Sequence, residues 1–187
     1  MDGVVVRQHL DFSAIKREIF GDEAGFALER IEALPPAERA HAEAILERHE
    51  ADAASRAESM DGFLALHAWL EGRGLKSGLV TRNSRKSVDV VLGRLGVRFD
   101  AVVTREDAPP KPAPDPVLLA CRRMDVVPAA AMFVGDFEFD LLAGRRAGVT
   151  TVLLRSPALR SSERADLAVD SLTELRHWLD EGQDPSG

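Results

Sequence analysis

From residue 61 onward, short apolar runs alternate with segments whose apolar residues recur at helical spacing. Segments of five to seven residues that contain two or more consecutive apolar residues have the length of strands, and apolar residues three and four positions apart have the period of a helix. Strands are predicted at 75–81, 99–104, 130–134 and 150–154, and helices at 63–71, 84–95, 115–124, 139–147 and from residue 171. Strands that alternate with helices predict right-handed crossovers. The predicted fold class is therefore α/β, with a doubly wound parallel sheet.

Several predicted helices have recognisable ends. Gly96 and Gly148 follow the last apolar positions of two helices, where glycine commonly ends a helix. Asp115 is the predicted N-cap of a helix whose first residue is Pro116. The stretch 171–174 (Ser-Leu-Thr-Glu) predicts a capping box for the last helix. These signals support the alternation that is seen in the apolar pattern.

The segment 11–58 has a different pattern. It is rich in Ala, Glu and Arg and contains no strand-like run. Helices are predicted at 13–20, 25–34 and 36–58, with Pro35 and Pro36 separating the last two. The apolar positions of the longest helix are small residues surrounded by charge, which is typical of a partly exposed helix.

Composition excludes several classes of protein. The chain has 187 residues, 45% of them hydrophobic and 29% charged, as in ordinary globular proteins. A net charge of −7 argues against nonspecific binding to nucleic acid or to an anionic membrane. No apolar stretch approaches the roughly 20 residues of a membrane span, and no signal-peptide pattern is present. With Cys121 as the only cysteine, we expect a cytoplasmic protein, and the sequence does not indicate its oligomeric state.

Two acidic residues follow the apolar run that ends at Val134. Asp136 and Asp140 are four positions apart, so on a helix they share one face. They follow a predicted strand, and in α/β proteins ligands bind at the carboxyl ends of strands. Clustered carboxylates favour a hard cation such as Mg²⁺. The alternative is an N-cap at Asp136 with a solvated acid one turn later.

Three further sequence features precede this pair in a fixed order. They are Met1-Asp2-Gly3, the stretch 78–81 (Gly-Leu-Val-Thr) at the end of a strand, and Lys111 in a proline-rich loop. With Gly135, Asp136 and Asp140 they resemble the four motifs of the haloacid dehalogenase-like (HAD) hydrolase superfamily. The stretch from Gly135 to Gly148 resembles its phosphoglycolate phosphatase-like branch. The resemblance implies a Rossmann-like core formed by 1–10 and 59–187, and a small helical cap formed by 11–58.

The resemblance implies a Mg²⁺-dependent phosphatase that acts on a small phosphorylated substrate through an aspartyl-phosphate intermediate. Asp2 is implied to be the general acid and base, and its backbone carbonyl to ligate Mg²⁺. Gly3 lies beside it in the substrate-binding motif. Thr81 is implied to donate a hydrogen bond to the phosphoryl group, with Asn83 assisting from the same turn.

The other two motifs supply charge. Lys111 is flanked by Pro110, Pro112 and Pro114, which restrict the loop and suit a cation that stays close to a phosphate. The resemblance implies that Asp136 is the main carboxylate ligand of Mg²⁺. Asp140 has three open roles, since it can ligate the metal directly, bind it through water, or orient Lys111.

The first motif departs from the family pattern, which is Asp-x-Asp-Gly after a buried strand. Met1, Asp2 and Gly3 occupy its last three positions, so the nucleophilic Asp and its strand would precede Met1. We therefore expect a start assigned too late, with an Asp encoded directly upstream. We also expect that the chain is unstable by itself, or that its sheet has a gap that residues 4–6 (Val-Val-Val) partly fill.

Two other functions remain open from the sequence. The chain can be an inactive relative that binds Mg²⁺ and phosphate as a regulatory or scaffold protein. A dehalogenase of the same superfamily is disfavoured, because displacement at a carbon–halogen bond needs no metal. The sequence does not identify the substrate, and phosphoglycolate, a sugar phosphate, a nucleotide and pyrophosphate all fit.

Overall fold

In the part of the chain that the structure describes, five short parallel strands form two separate sheets. The computed structural model describes residues 1–7, 10–157, 159 and 161–182. In the first sheet β1 (Gly78–Val80) pairs with β2 (Ala101–Val103), and in the second β4 (Thr150–Leu154) lies between β3 (Met132–Gly135) and β5 (Leu167–Val169). All three pairings are parallel. The predicted α/β class with parallel strands is confirmed.

A cavity of about 1220 Å³ separates the two sheets. It is lined by Leu79 and Val80 of β1 and by Phe133 and Val134 of β3, so a free edge of each sheet faces it. The N-terminal residues enter this region as a turn, in which Val5 and Val6 are buried in the same apolar cluster as Leu79. The cavity lies where a gap in the sheet was expected, and Val4 and Val5 line it.

The segment 11–58 forms three helices, α1 (Phe12–Phe20), α2 (Ala27–Glu32) and α3 (Pro36–Ser55). The Asp11 side chain caps α1 by accepting a hydrogen bond from the Ala14 N–H at 2.9 Å. The helices share a small apolar cluster of their own, formed by Leu10, Ile15, Ala27, Ile31, Ala42 and Leu46. This cluster does not include residues of the sheets, so the segment is built around a separate core.

Five further helices follow in the described part of the chain: α4 (Phe63–Gly72), α5 (Arg85–Leu95), α6 (Asp115–Met124), α7 (Glu138–Ala147) and α8 (Leu172–Asp180). Helix α6 packs on β1 and β2, α7 packs on β3 and β4, and α8 packs on β5 and α4. Helix α5 packs against α3 and so joins the 11–58 segment to the core. No helix in the described part of the chain is long and apolar enough to cross a membrane.

Several predicted boundaries were wrong. Helix α3 ends at Ser55 instead of residue 58, because the Glu58 carbonyl accepts a hydrogen bond from the Arg7 N–H. β1 begins at Gly78 instead of residue 75, because the Leu75 N–H bonds back to the Leu70 carbonyl at the end of α4.

Other differences concern caps and short elements. Asp115 lies inside α6, and Pro114 holds the N-cap position, so the predicted Asp cap was wrong. β3 begins at Met132 because residues 128–130 form a 3₁₀ turn. The predicted capping box at α8 is only half present: Ser171 accepts from the Glu174 N–H, while the Glu174 carboxylate accepts from the Asp170 N–H. The sequence pattern did not predict β5.

Candidate active site

The side chains singled out in the sequence converge at the carboxyl ends of β1 and β3. Thr81 directly follows β1, and Asp136 directly follows β3. The N-terminal turn brings Gly3 against Asp136: a Cβ atom on Gly3 would lie 2.0 Å from the Asp136 Oδ2 atom. Gly3 also has a φ of 76°, a left-handed conformation that glycine adopts without strain. No other residue fits this position without moving the carboxylate.

Asp2 and Asn83 meet on the β1 side of the site. The Asn83 Nδ2 atom donates a hydrogen bond to the Asp2 Oδ2 atom at 2.7 Å. The Asn83 backbone N–H donates to the Thr81 Oγ1 atom at 3.1 Å. Thr81 and Asn83 are both buried, and Asp2 is half-buried. The turn 81–83 therefore fixes the direction of the Asp2 carboxylate.

Lys111 and Asp140 form a buried ion pair on the β3 side. The Lys111 Nζ atom contacts the Asp140 Oδ1 atom, and each side chain is 10% exposed. The second oxygen of Asp140 accepts from the Phe137 N–H at 3.2 Å. Of the three roles that the sequence left open for Asp140, this geometry favours orientation of Lys111.

The alternative interpretation of the two acids does not agree with the structure. The N-cap of α7 is Phe137, one residue after Asp136, and Asp140 is buried instead of solvated. Gly135 allows this arrangement, because a Cβ atom there would lie 2.1 Å from the Cβ of Asp140. The Asp136 carboxylate is therefore not needed to begin the helix.

The electrostatics of Asp136 indicate a site that is short of positive charge. Burial and the nearby Asp140 carboxylate raise the pKa of Asp136 to about 6, although the Met1 α-amino group and Lys111 oppose the shift. The Met1 α-amino group is itself buried beside these residues, and burial together with Lys111 lowers its pKa. A carboxylate in this position is stabilised by a bound cation.

The residues at the site fit Mg²⁺. Within the described ranges, no group of three or more His, Cys, Asp or Glu side chains has the geometry of a metal cage. Mg²⁺ does not need one, since it commonly uses one or two carboxylates together with water and substrate phosphate oxygens. Asp136, with its raised pKa, and Asp2, which precedes the Gly3 that packs against Asp136, are a donor set of this kind.

Two residues that border the site were not predicted from the sequence. Phe26, at the start of α2, lies against Phe137 and Phe139 with ring centroids 6.3 and 4.8 Å apart. Glu50 of α3 is buried and contacts residues that follow β1 and β2. Its only signal was its spacing, because it falls four positions after Leu46 on the apolar face of its helix.

The cysteine and two of the described histidines lie outside this site. Cys121 is buried in α6, where burial raises the pKa of its thiol. His67 is buried and bonds to the Arg98 carbonyl at 2.8 Å, and His49 contacts Glu18. His9 lies outside the described residues.

The chain resembles known proteins over most of its length. The model of the haloacid dehalogenase-like hydrolase family matches residues 13–154. A haloacid dehalogenase-like hydrolase domain-containing protein of Arabidopsis thaliana is 31% identical over 96% of this chain and 81% of its own length. The N-acetylmuramic acid 6-phosphate phosphatase of Pseudomonas putida is 31% identical over 73% of this chain and 65% of its own.

Solved structures share the fold. A hydrolase from Pseudomonas syringae superposes with a TM-score of 0.78 at 22% identity, covering 98% of this chain and 97% of the other. CbbY from Rhodobacter sphaeroides, solved in complex with phosphate, superposes with a TM-score of 0.73 at 23% identity, covering 94% and 93%. The family match and the phosphatase relatives show that this chain belongs to the haloacid dehalogenase-like hydrolases and is, by family, a phosphoric monoester hydrolase.

Proposed function

We propose that the protein is a Mg²⁺-dependent phosphatase that hydrolyses a small phosphate ester. The observation that carries this proposal is the convergence of Thr81, Lys111 and the Asp2–Asn83 pair around Asp136 at the ends of β1 and β3. Phosphoryl transfer depends mainly on positioning and on neutralising charge, which these groups provide. The phosphatase relatives and the phosphate complex of CbbY support a small phosphorylated substrate.

Each residue has a distinct task in this proposal. The Thr81 hydroxyl and the Lys111 ammonium bind the oxygens of the transferred phosphoryl group. The Asp136 carboxylate and the Asp2 backbone carbonyl hold Mg²⁺, which supplies charge neutralisation when it is bound. The Asp2 carboxyl group gives its proton to the leaving alcohol oxygen as the phosphorus–oxygen ester bond breaks.

The resemblance implies an aspartate nucleophile two positions before Asp2, directly upstream of Met1. Its carboxylate forms a bond to phosphorus, and Asp2 then removes a proton from the water that releases inorganic phosphate. The buried Met1 α-amino group supports this placement, because it lies near Lys111, Asp136 and Asp140. A residue joined to that nitrogen would have its backbone within the site.

The cavity between the sheets supports the same proposal. The free edges of β1 and β3 can both pair with one extended segment. Apolar side chains such as Leu79, Phe133 and Val134 line the space and would cover an apolar strand. We propose that an upstream strand fills the cavity and carries the nucleophile to the site.

The 11–58 segment is proposed to be the cap of the site. Its Phe26 lies over the Phe137 and Phe139 rings, next to Asp136 in sequence. The Arg82 side chain, between Thr81 and Asn83, pairs with Glu29 of α2 at 2.6 Å. These contacts cover the edge of the site from which the leaving group of an ester would project.

The test compares the 187-residue chain with a longer form, which also contains the residues encoded directly upstream of Met1. Phosphate release is measured from phosphoglycolate, a sugar phosphate, a nucleotide and pyrophosphate, with Mg²⁺ and with chelator. We expect Mg²⁺-dependent release by the longer form, and loss of about 100-fold or more on Lys111→Met. Exposed Lys86 of α5 supplies the matched control Lys86→Met.

Replacement of the upstream Asp by Asn identifies the nucleophile. We expect this variant to bind Mg²⁺ and inorganic phosphate while it releases no phosphate from esters. A longer form that binds both ligands but hydrolyses none of the esters would contradict the phosphatase proposal. That result would favour a phosphate-binding and Mg²⁺-binding regulatory protein.

A further inference from the structure

Glu50 is a buried acid for which the phosphatase proposal gives no role. It is 4% exposed and lies on the apolar face of α3, with Leu46 one turn before it and Ala54 one turn after it. A carboxylate is costly to bury unless charged or hydrogen-bonding partners surround it. The contacts of Glu50 therefore indicate why an acid occupies an apolar position.

Both partners of Glu50 belong to the core and not to its own segment. The Ser84 hydroxyl donates a hydrogen bond to the Glu50 Oε2 atom at 2.8 Å. The Arg105 guanidinium pairs with the Oε1 atom, and only 19% of the Arg105 side chain is exposed. The ion pair is shielded from solvent, so removal of one partner leaves an uncompensated charge. Glu50 thus joins α3 to the core at one point.

The two partners hold the turn that follows β1. Ser84 is the N-cap of α5 and directly follows Asn83. The Arg105 backbone N–H donates to the Asn83 carbonyl at 3.4 Å, and its guanidinium donates to the Arg82 carbonyl at 3.4 Å. When Glu50 is in place, the backbone on both sides of Asn83 is therefore fixed.

Asn83 in turn directs Asp2. Its side-chain amide donates to the Asp2 Oδ2 atom at 2.7 Å, and its N–H bonds to the Thr81 hydroxyl. A continuous chain of contacts runs from Glu50 through Ser84 and Arg105 to Asn83, and from there to Asp2. Ser84 is joined to Asn83 by the peptide bond between them, and every other link is a hydrogen bond or an ion pair.

We propose that Glu50 is a positioning residue that orients Asp2 when the 11–58 segment is seated on the core. Glu50 contacts neither Asp2 nor Asp136, so it acts through Asn83. If α3 moves away, Ser84 and Arg105 lose their carboxylate and the turn loses its support. The catalytic part of this inference rests on the proposed phosphatase function.

The test uses Glu50→Ala and the nearly isosteric Glu50→Gln. The glutamine retains an acceptor for Ser84 but removes the charge that pairs with Arg105. Glu47→Gln is the matched control, because Glu47 lies on the exposed face of the same helix.

The first readout does not need activity. Nuclear magnetic resonance measures hydrogen exchange of the Asn83 side-chain amide in each variant. We expect exchange to accelerate about tenfold or more in Glu50→Ala and less in Glu50→Gln, with no change in Glu47→Gln. Unchanged exchange in a folded Glu50→Gln or Glu50→Ala protein overturns the proposal. If Glu50→Ala does not fold, Glu50→Gln decides the result.

The second readout is the steady-state rate of ester hydrolysis, measured with the longer form if it releases phosphate as proposed. We expect Glu50→Gln to lower kcat about tenfold with little change in KM, because alignment of the acid affects the transition state more than binding. A raised KM with unchanged kcat contradicts a positioning role. If no form hydrolyses esters but Asn83 exchange responds to Glu50, the phosphatase proposal fails and the structural coupling stands.

Discussion

Two acidic centres in this molecule have opposite electrostatic surroundings. Asp107, in the loop after β2, accepts from the Thr104 N–H and hydroxyl at 2.8 Å each, and pairs with Arg123 at 2.7 Å and Arg85 at 2.5 Å. Burial opposes ionisation, but Arg123 and Thr104 hold the pKa of Asp107 well below its usual range. At Asp136, burial and a second carboxylate raise the pKa instead.

The difference distinguishes an acid that stabilises the fold from one that is proposed to bind a ligand. Asp107 has its full set of donors within the chain and gains stability from its charge. Asp136 lies beside Asp140, whose own charge is paired with Lys111. A carboxylate that is buried beside another acid is stabilised by an added cation. The contrast therefore predicts different consequences of removing each charge.

The largest difference is expected in catalysis. In the longer form that is expected to release phosphate, Asp136→Asn should lower the Mg²⁺-dependent rate about 1000-fold, because it removes a proposed metal ligand. Asp107→Asn should retain the rate within about threefold at a temperature well below its melting point. Initial rates over a range of Mg²⁺ concentrations check both. Equal losses of hydrolysis rate in the two variants would contradict the proposed difference between a metal-binding Asp136 and a structural Asp107.

Stability should show the reverse order. Asp107→Asn should lower the free energy of unfolding by about 2 kcal/mol at pH 7, because it weakens several charge-assisted hydrogen bonds. The pKa of Asp107 is lowered in the folded state, so its contribution is present above about pH 4 and is lost as the pH falls. Urea unfolding at pH 7 and pH 3 measures the difference in the free energy of unfolding between Asp107→Asn and the unmutated protein. This difference should be smaller at pH 3. An equal difference at both pH values would indicate that the charge of Asp107 is not what stabilises the fold.

The metal-free protein should gain stability when Asp136 is neutralised. The pKa of Asp136 is raised to about 6, so the folded state loses stability as the pH rises from about 4 to 6. Asp136→Asn should therefore raise the free energy of unfolding by about 1–2 kcal/mol at pH 7 in chelator. Below about pH 4 the two proteins should converge. Unfolding curves at several pH values test this sign.

Added Mg²⁺ should have the smallest effect on stability. At a concentration ten times its dissociation constant, Mg²⁺ should raise the free energy of unfolding of the unmutated protein by about 1.4 kcal/mol. The stability of Asp136→Asn should not change at the same Mg²⁺ concentration, and that of Asp107→Asn should increase as much as that of the unmutated protein. Thermal melts with Mg²⁺ and with chelator provide the comparison. A response that persists in Asp136→Asn would place the cation elsewhere.

The sequence predicted the fold and much of the candidate site for one physical reason. In a parallel sheet the carboxyl ends of strands lie at one edge, so residues that follow strands are brought together. Thr81 and Asp136 are such residues, and their proximity to the site follows from strand order. The gap between the sheets was predicted from the resemblance of Met1, Asp2 and Gly3 to the end of a longer motif.

What the sequence did not predict depends on contacts between distant segments. β5 has only three residues, with Asp166 before it and Asp170 after it, so its apolar run is too short to detect. Phe26 reaches the site only because α2 packs beside α7's first turn. Glu50 gave a usable signal, since an acid on an apolar helix face needs a buried partner, but its partner Arg105 could not be identified from spacing.

The most direct test of the account is a carboxylate titration of Asp136 by carbon-13 nuclear magnetic resonance, with and without Mg²⁺. We expect a pKa of about 6 for Asp136 in chelator, because its carboxyl group is buried beside Asp140. With saturating Mg²⁺ the pKa should fall below about 4, since a bound cation favours the charged form. An ordinary pKa in chelator, or a raised pKa that Mg²⁺ does not change, would contradict the claim that Asp136 is the metal-binding carboxylate of a phosphatase site.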